Sequence, residues 1–277
     1  MDTDAPRVFV LGPGRAGRSL AVALEAASVP VVGVHGRARP FPPGLSKADV
    51  ILVATPDAAV SVGLGDLADA ALAPHAIVLQ LSGTRAPDAA DDLLRRCAGG
   101  VGTFHPLVPL ADPAFGAERL RGAWVGVGGD VAAVAVGEAL ARRIGAHPLR
   151  IPDAPDARAL YHAAAVFASN FPVVLAAVAE RLFVRAGVNA VDGRHAVHHL
   201  LASAVANIAA AAEPATALTG PVARGDVATV ARHLAALTDD EEADALYRAL
   251  AGATVSVART GGHVDPARLD ALRTLLS

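Results

Sequence analysis

Cysteine, lysine and aromatic residues are nearly missing from this 277-residue chain. The one cysteine, Cys97, excludes an internal disulfide framework and a cysteine-based metal cluster, which fits a reducing compartment. As a lone thiol it reads as a small buried hydrophobe. Charge is sparse and nearly balanced, with 24 Lys and Arg against 27 Asp and Glu for a formal net charge of -3. That balance leaves no electrostatic footprint for nucleic acid and no polybasic patch for a membrane surface. The opening segment, MDTDAPRVFV, carries acidic residues where a secretion signal needs basic ones, so a cytoplasmic protein is expected. The longest apolar run, residues 163 to 179, is interrupted by Ser169, Asn170 and Pro172. It is expected to fall short of a membrane span and to lie between helices or between subunits.

What the chain has in quantity is apolar residues, 53% of the total. From Arg7 to about Pro152, short β-branched runs such as RVFVLG, VPVVGVHG, ADVILVATP and AIVLQLSG alternate with helix-forming stretches. Strands without polar alternation, separated by helices, predict a parallel sheet covered on both faces. Behind IPDAPDA the text becomes Ala-rich and helical, with breaks at AGVNAVDG, EPATALTGPVARGD and TGGHVDP. The expected fold is therefore α/β: a Rossmann-like doubly wound parallel sheet over residues 1–152, then an all-α domain over 153–277.

GPGRAG, residues 12 to 17, follows a predicted strand and opens a helix, the context a dinucleotide fingerprint requires. Gly12 makes the turn, Gly14 lets backbone approach a pyrophosphate, and Gly17 allows close helix packing. Arg15 and Ala16 lie in the same loop, where helix N–H groups and dipole favour an anion. The second strand ends in His35, Gly36 and Arg37 instead of an acidic residue. A carboxylate would repel a ribose 2′-phosphate and an arginine pairs with it, so NADP(H) is expected over NAD(H), with Arg37 as the phosphate contact and Arg15 and Arg39 as helpers.

Ligands of an open α/β sheet bind beyond the carboxyl ends of its strands. Those ends read TPD, LSG and FHP, which place Thr55 and Pro56 along the cofactor and Ser82 and His105 deeper. Asp57 is expected to cap the following helix. His105 is equally readable as a structural histidine bonded to backbone. The passage YHAAAVFASN puts four polar groups, Tyr161, His162, Ser169 and Asn170, on an otherwise apolar helix. Helical spacing sets His162 and Ser169 on one stripe with Asn170 at its flank. Such groups either bury a network or line a polar cavity.

Taken together and in this order, GPGRAG, TPD, LSG, FHPL, YHAAAVFASN and TGPVARGD resemble a bacterial family that joins a Rossmann-like NADP-binding domain to a C-terminal helical domain of unknown function. That family sits in the 6-phosphogluconate dehydrogenase-like superfamily, with pyrroline-5-carboxylate reductases, hydroxyacid dehydrogenases and imine reductases. The resemblance implies an NADP-linked reductase and a homodimer through the helical domains. The hydroxyacid dehydrogenases carry a catalytic lysine on the first helix of the second domain, whereas the only lysine here is Lys47. His162 would then serve as proton donor, with Tyr161 second, while Ser82 and Asn170 orient a carbonyl or imine. Ser169 would face the substrate. Arg224 would clamp a substrate carboxylate or phosphate, or make an intersubunit salt bridge. His195, His198 and His199 have ligand spacing but no acidic or cysteine partner nearby, so no metal is expected. The competing class is a non-catalytic nucleotide-binding or scaffold protein that keeps the fold.

Overall fold

The computed structural model describes residues 5–277, apart from Arg37, Ala86, Pro87, Cys97, Ala111, Asp153, Pro155 and the side chain of Pro113. Among the described residues, the first part of the chain forms β1 (Val8–Leu11), α1 (Arg15–Ala26), β2 (Val31–His35), β3 (Val50–Val53), α2 (Val60–Ala68), β4 (Ile77–Gln80) and α3 (Ala89–Leu94). It continues with β5 (Gly100–Leu107), α4 (Pro113–Leu120), β6 (Trp124–Gly129), α5 (Val131–Arg143) and β7 (His147–Arg150). The seven strands form one sheet in the order β2-β1-β3-β4-β5-β6-β7.

Period-two alternation explains why this sheet is covered on both faces. Along β1, Val8 and Val10 pack in one core with Leu20, Leu24 and Leu140, from α1 and α5. Phe9 and Leu11 point the other way, into a second core with Leu64, Leu67 and Leu94, from α2 and α3. Each fully buried side chain of this size contributes roughly 1.5–3 kcal/mol, so strands buried on both faces must read as continuous apolar runs. One pairing departs from the expected parallel sheet: β5 and β6 are antiparallel, with His105 opposite Gly126 and Thr103 opposite Gly128. The connection through α4 returns the chain alongside β5, so β6 arrives head to tail.

After β7 the chain is helical: α6 (Ala157–Arg185), α7 (Ala190–Ala210), α8 (Pro214–Ala217), α9 (Gly220–Ala223), α10 (Val227–Leu237), α11 (Glu241–Gly261) and α12 (Pro266–Leu276). Two compact units result, residues 1–170 and 171–277. The division falls inside α6, two residues before Pro172, because the first half of that helix packs with the sheet. The second unit is built on a core of Val230, Leu234, Val255, Leu269 and Leu272 from α10, α11 and α12. Its helices start where the breaks in the sequence predict, with Asn189, Asp226 and Asp265 each accepting N-terminal backbone N–H groups.

Two local expectations change. Asp57 makes no cap bond; it begins a short 3-10 turn ahead of α2, whose N-terminus at Ala59 has no side-chain cap. The run around Ala163 does not fall short of a span: α6 is long and apolar enough, by length and composition, to cross a membrane. Its polar interruptions do not break it, because Ser169 turns its hydroxyl back onto the Ala165 carbonyl and the Asn170 side chain.

Candidate active site

β1, β2 and β3 end together where the strand order reverses, the place where an open sheet leaves a crevice. A cavity of about 500 Å³ lies there, lined by the loop from Gly12 to Ala16 together with Gly36, Ala54, Thr55, Pro56 and Leu110. Gly12 has a φ of +118°, and a Cβ on it would strike the Ala54 carbonyl, so only glycine makes this turn. Its N–H is held by the His35 carbonyl at 2.8 Å. A Cβ on Gly17 would collide with the Gly12 carbonyl, whereas one on Gly14 would meet nothing within 4 Å. The three glycines thus do three things: turn, open a cradle, and seat the helix. Thr55 also lines the cavity, but its hydroxyl is buried on the side of Gly63 in α2 and has no hydrogen-bond partner among the described residues.

The remaining nucleotide-side residues behave unequally. Arg37 lies outside the described residues. Arg15 is exposed at the mouth of the cavity. The His35 side chain bonds the Ala38 carbonyl at 3.0 Å and sets its ring edge-on to Phe41, so its contribution is to shape the loop. Arg39 is held by Asp66 at 2.7 Å and reaches Asp69.

A second polar group assembles on the face of β5 that α6 covers. β5 runs four residues past the last register partner on β4, carrying His105 beyond the edge of its neighbour. His105 Nδ1 lies 3.0 Å from the Tyr161 hydroxyl, and its ring centroid is 5.9 Å from that of His162. Gly83, at the end of β4, completes the cluster: a Cβ there would sit 2.8 Å from the His105 ring and 2.9 Å from the His162 ring. Burial, then the neighbouring His162, and against them Asp57, set the His105 pKa, which falls to about 4. Burial pushes Tyr161 up to about 12, opposed by the Gly126 N–H donated to its oxygen. Both groups are neutral near pH 7. In one tautomer the Tyr161 hydroxyl donates to Nδ1; in the other Nδ1–H donates to the Tyr161 oxygen while the hydroxyl donates to the His105 carbonyl at 3.4 Å.

The structure brings together three of the sequence-predicted residues, His105, Tyr161 and His162. Ser82 lies next to Gly83 in the chain but is buried, with its hydroxyl accepting the Arg85 N–H at 3.2 Å and the Thr84 N–H at 3.4 Å; it shapes the turn that presents Gly83. Ser169 and Asn170 bond each other two turns further along α6, outside this cluster. Arg224 is exposed in the second unit, two residues before Asp226, whose carboxyl it helps hold below the usual range. Among the described residues, no group of three His, Cys, Asp or Glu could hold a metal ion. Sequence reading missed Gly83, Gly126, Thr103 and Arg158. A signal existed: WVGVGG places glycine at every second position of a strand, which clears one face.

Residues 123–254 match the family model of DUF2520, a domain of unknown function. No curated protein matches the chain. Solved structures do. A protein from Thermotoga maritima is 22% identical, with a TM-score of 0.70 over 92% of this chain and 100% of its own. A Plasmodium falciparum pyrroline carboxylate reductase solved with NADP bound is 10% identical, with a TM-score of 0.57 over 98% of each chain. An imine reductase from Streptomyces aurantiacus is 19% identical, with a TM-score of 0.54 over 98% of this chain and 99% of its own. At these identities the likeness establishes the fold, a Rossmann-like domain followed by a helical one.

Proposed function

We propose that the protein is an NADP(H)-dependent oxidoreductase acting on a small C=N or C=O substrate. The observation that carries this reading is the cradle at Gly12, Gly14 and Gly17, which leaves open space over Gly14 at the start of α1. A dinucleotide fits these residues: its pyrophosphate takes the open space over Gly14 at the start of α1. The NADP of the Plasmodium reductase and the imine reductase of the same fold support the cofactor and the substrate class. So does the absence of an acidic residue at the end of β2, where Arg37 would meet the 2′-phosphate.

When bound, the nicotinamide exchanges hydride with the substrate carbon. The chain's own part is to orient the reactants and manage the proton. In this reading His162 donates it to the substrate nitrogen or oxygen. The Tyr161 hydroxyl, held by the Gly126 N–H and His105 Nδ1, is the second donor. His105, held neutral by burial, stands beside them as an uncharged hydrogen-bonding group that can orient a carbonyl or imine.

The protein is also proposed to act as a homodimer. α6 has no fully buried residue, and Leu160, Val173, Val205 and Ile208 on α6 and α7 are exposed. A second copy of the same helices would cover them.

Calorimetry of NADPH and NADH binding tests the cofactor. NADPH should bind more tightly, and Arg37→Ala should lose mainly that preference. If neither nucleotide binds, the scaffold reading replaces this one. With binding established, His162→Ala at unchanged turnover on imine and ketone panels would remove His162 from the proton role.

A further inference from the structure

Arg158 and Thr103 stand outside the groups so far given a chemical role, yet they repeat the geometry of Tyr161 and His105 one step away. Arg158 lies three residues before Tyr161 on α6, nearly one turn, and Thr103 lies two residues before His105 on the same face of β5. The Arg158 guanidinium donates to Thr103 Oγ1 at 2.5 Å, as the Tyr161 hydroxyl meets His105. Opposite them on β6 stand glycines. Gly128 pairs with Thr103 and Gly126 with His105. A Cβ on Gly128 would lie 3.2 Å from the Arg158 guanidinium, and one on Gly126 would collide with the Tyr161 hydroxyl. The sheet face is cleared at both rungs so that α6 can lie close.

The lower rung also reaches the turn that carries Gly83. Thr103 Oγ1 accepts a second bond, from Gln80 Nε2 at 2.9 Å, and Gln80 Oε1 accepts the Ser82 N–H at 2.5 Å. Gln80, Ser82 and Thr103 are all buried. The chain of bonds therefore joins α6, β5 and the end of β4, the three elements that supply Tyr161 and His162, His105 and Gly83.

We propose that Arg158, Thr103 and Gln80 are positioning residues that hold α6 in register with β5, so that Tyr161 stays on His105 and His162 stays over Gly83. The inference rests on reading that cluster as the proton-handling site. Cut the link, and the first turns of α6 are free to slide from the sheet, water reaches His105, and its charged form is no longer penalised. The titratable groups that face His105 are Tyr161 and His162 from α6 and Asp57 from the turn after β3.

The test is an NMR titration of the histidine rings in the full-length protein, with the His105 signal assigned by its loss in His105→Asn. Thr103→Val is neutral and nearly isosteric, so it breaks the link without altering charge at the site. In this variant and in Arg158→Met, the His105 midpoint should rise from about 4 toward the ordinary value of about 6.5. A His105 titration in Thr103→Val that superimposes on wild type overturns the proposal, and if Arg158→Met fails to fold, Thr103→Val decides alone. NADPH affinity measured on the same samples separates the two readings. Loss of nucleotide binding by the wild type defeats the reductase reading, whereas the titration bears only on the link.

Discussion

His105 owes its state to where it sits more than to what it touches. Burial disfavours its imidazolium, and the adjacent His162 adds to that, so its pKa drops to about 4. In the unfolded chain the same group titrates near 6.5. Between these values the unfolded state binds the extra proton, and stability therefore falls as pH is lowered through the window, by at most roughly 1.4 kcal/mol per pH unit. Denaturant midpoints measured from pH 7 to pH 4.5 should show this acid-side loss in wild type and a shallower one in His105→Asn. Gly83 belongs to the same scale. Glycine carries only a hydrogen where any other residue would press a Cβ against both imidazoles, so Gly83→Ala should destabilise by about 1–3 kcal/mol and move the ring signals of His105 and His162 together.

Among the elements, α3 shows how a short helix is held at the edge of the site. It has six residues, too few to persist alone, and it is fixed by a capping box in which Asp88 and Asp91 satisfy each other's N-terminal N–H groups. Arg85, just after the turn of Ser82 and Gly83, pairs with Asp91 at 2.5 Å, and both side chains are at least nine-tenths buried. Asp91→Ala leaves Arg85 with Asp88 at 2.7 Å and Ser61, but removes the acceptor of the Asp88 N–H, and should cost about 1–3 kcal/mol in a denaturant unfolding experiment. On the other face of the sheet, α4 lies against α1 only because residue 116 is glycine, where any Cβ would overlap Ser19. This contact carries the segment after β5 past the cavity at Gly12 to Ala16, where Leu110 forms part of the wall.

For the whole molecule, the apolar surface of α6 and α7 is the feature that folding within one chain leaves exposed. Sedimentation of the purified protein should give a dimer. Val173→Glu with Val205→Glu should shift it toward monomer, since two carboxylates would have to be desolvated at the interface. Partition into vesicles instead of dimerisation would identify a lipid surface as what covers α6, consistent with its length and apolarity.

The doubly wound sheet, the glycine loop and the helix breaks were legible in the sequence because each depends on local chemistry. Continuous β-branched runs mark strands buried on both faces, three glycines mark the cradle, and Asn189, Asp226 and Asp265 cap helices through neighbours two or three residues away. The tertiary structure alone decided which polar residues meet. Of the four on α6, Tyr161 and His162 join His105, while Ser169 and Asn170 close on each other. Spacing along the helix could not separate the pairs, because the deciding contacts come from β5 and β6, a turn reversal and two glycines distant in the chain. The antiparallel pairing of β5 with β6 belongs to the same category. It follows from the path of the chain through α4, and it is what places Gly126 opposite His105 and lets Tyr161 reach it.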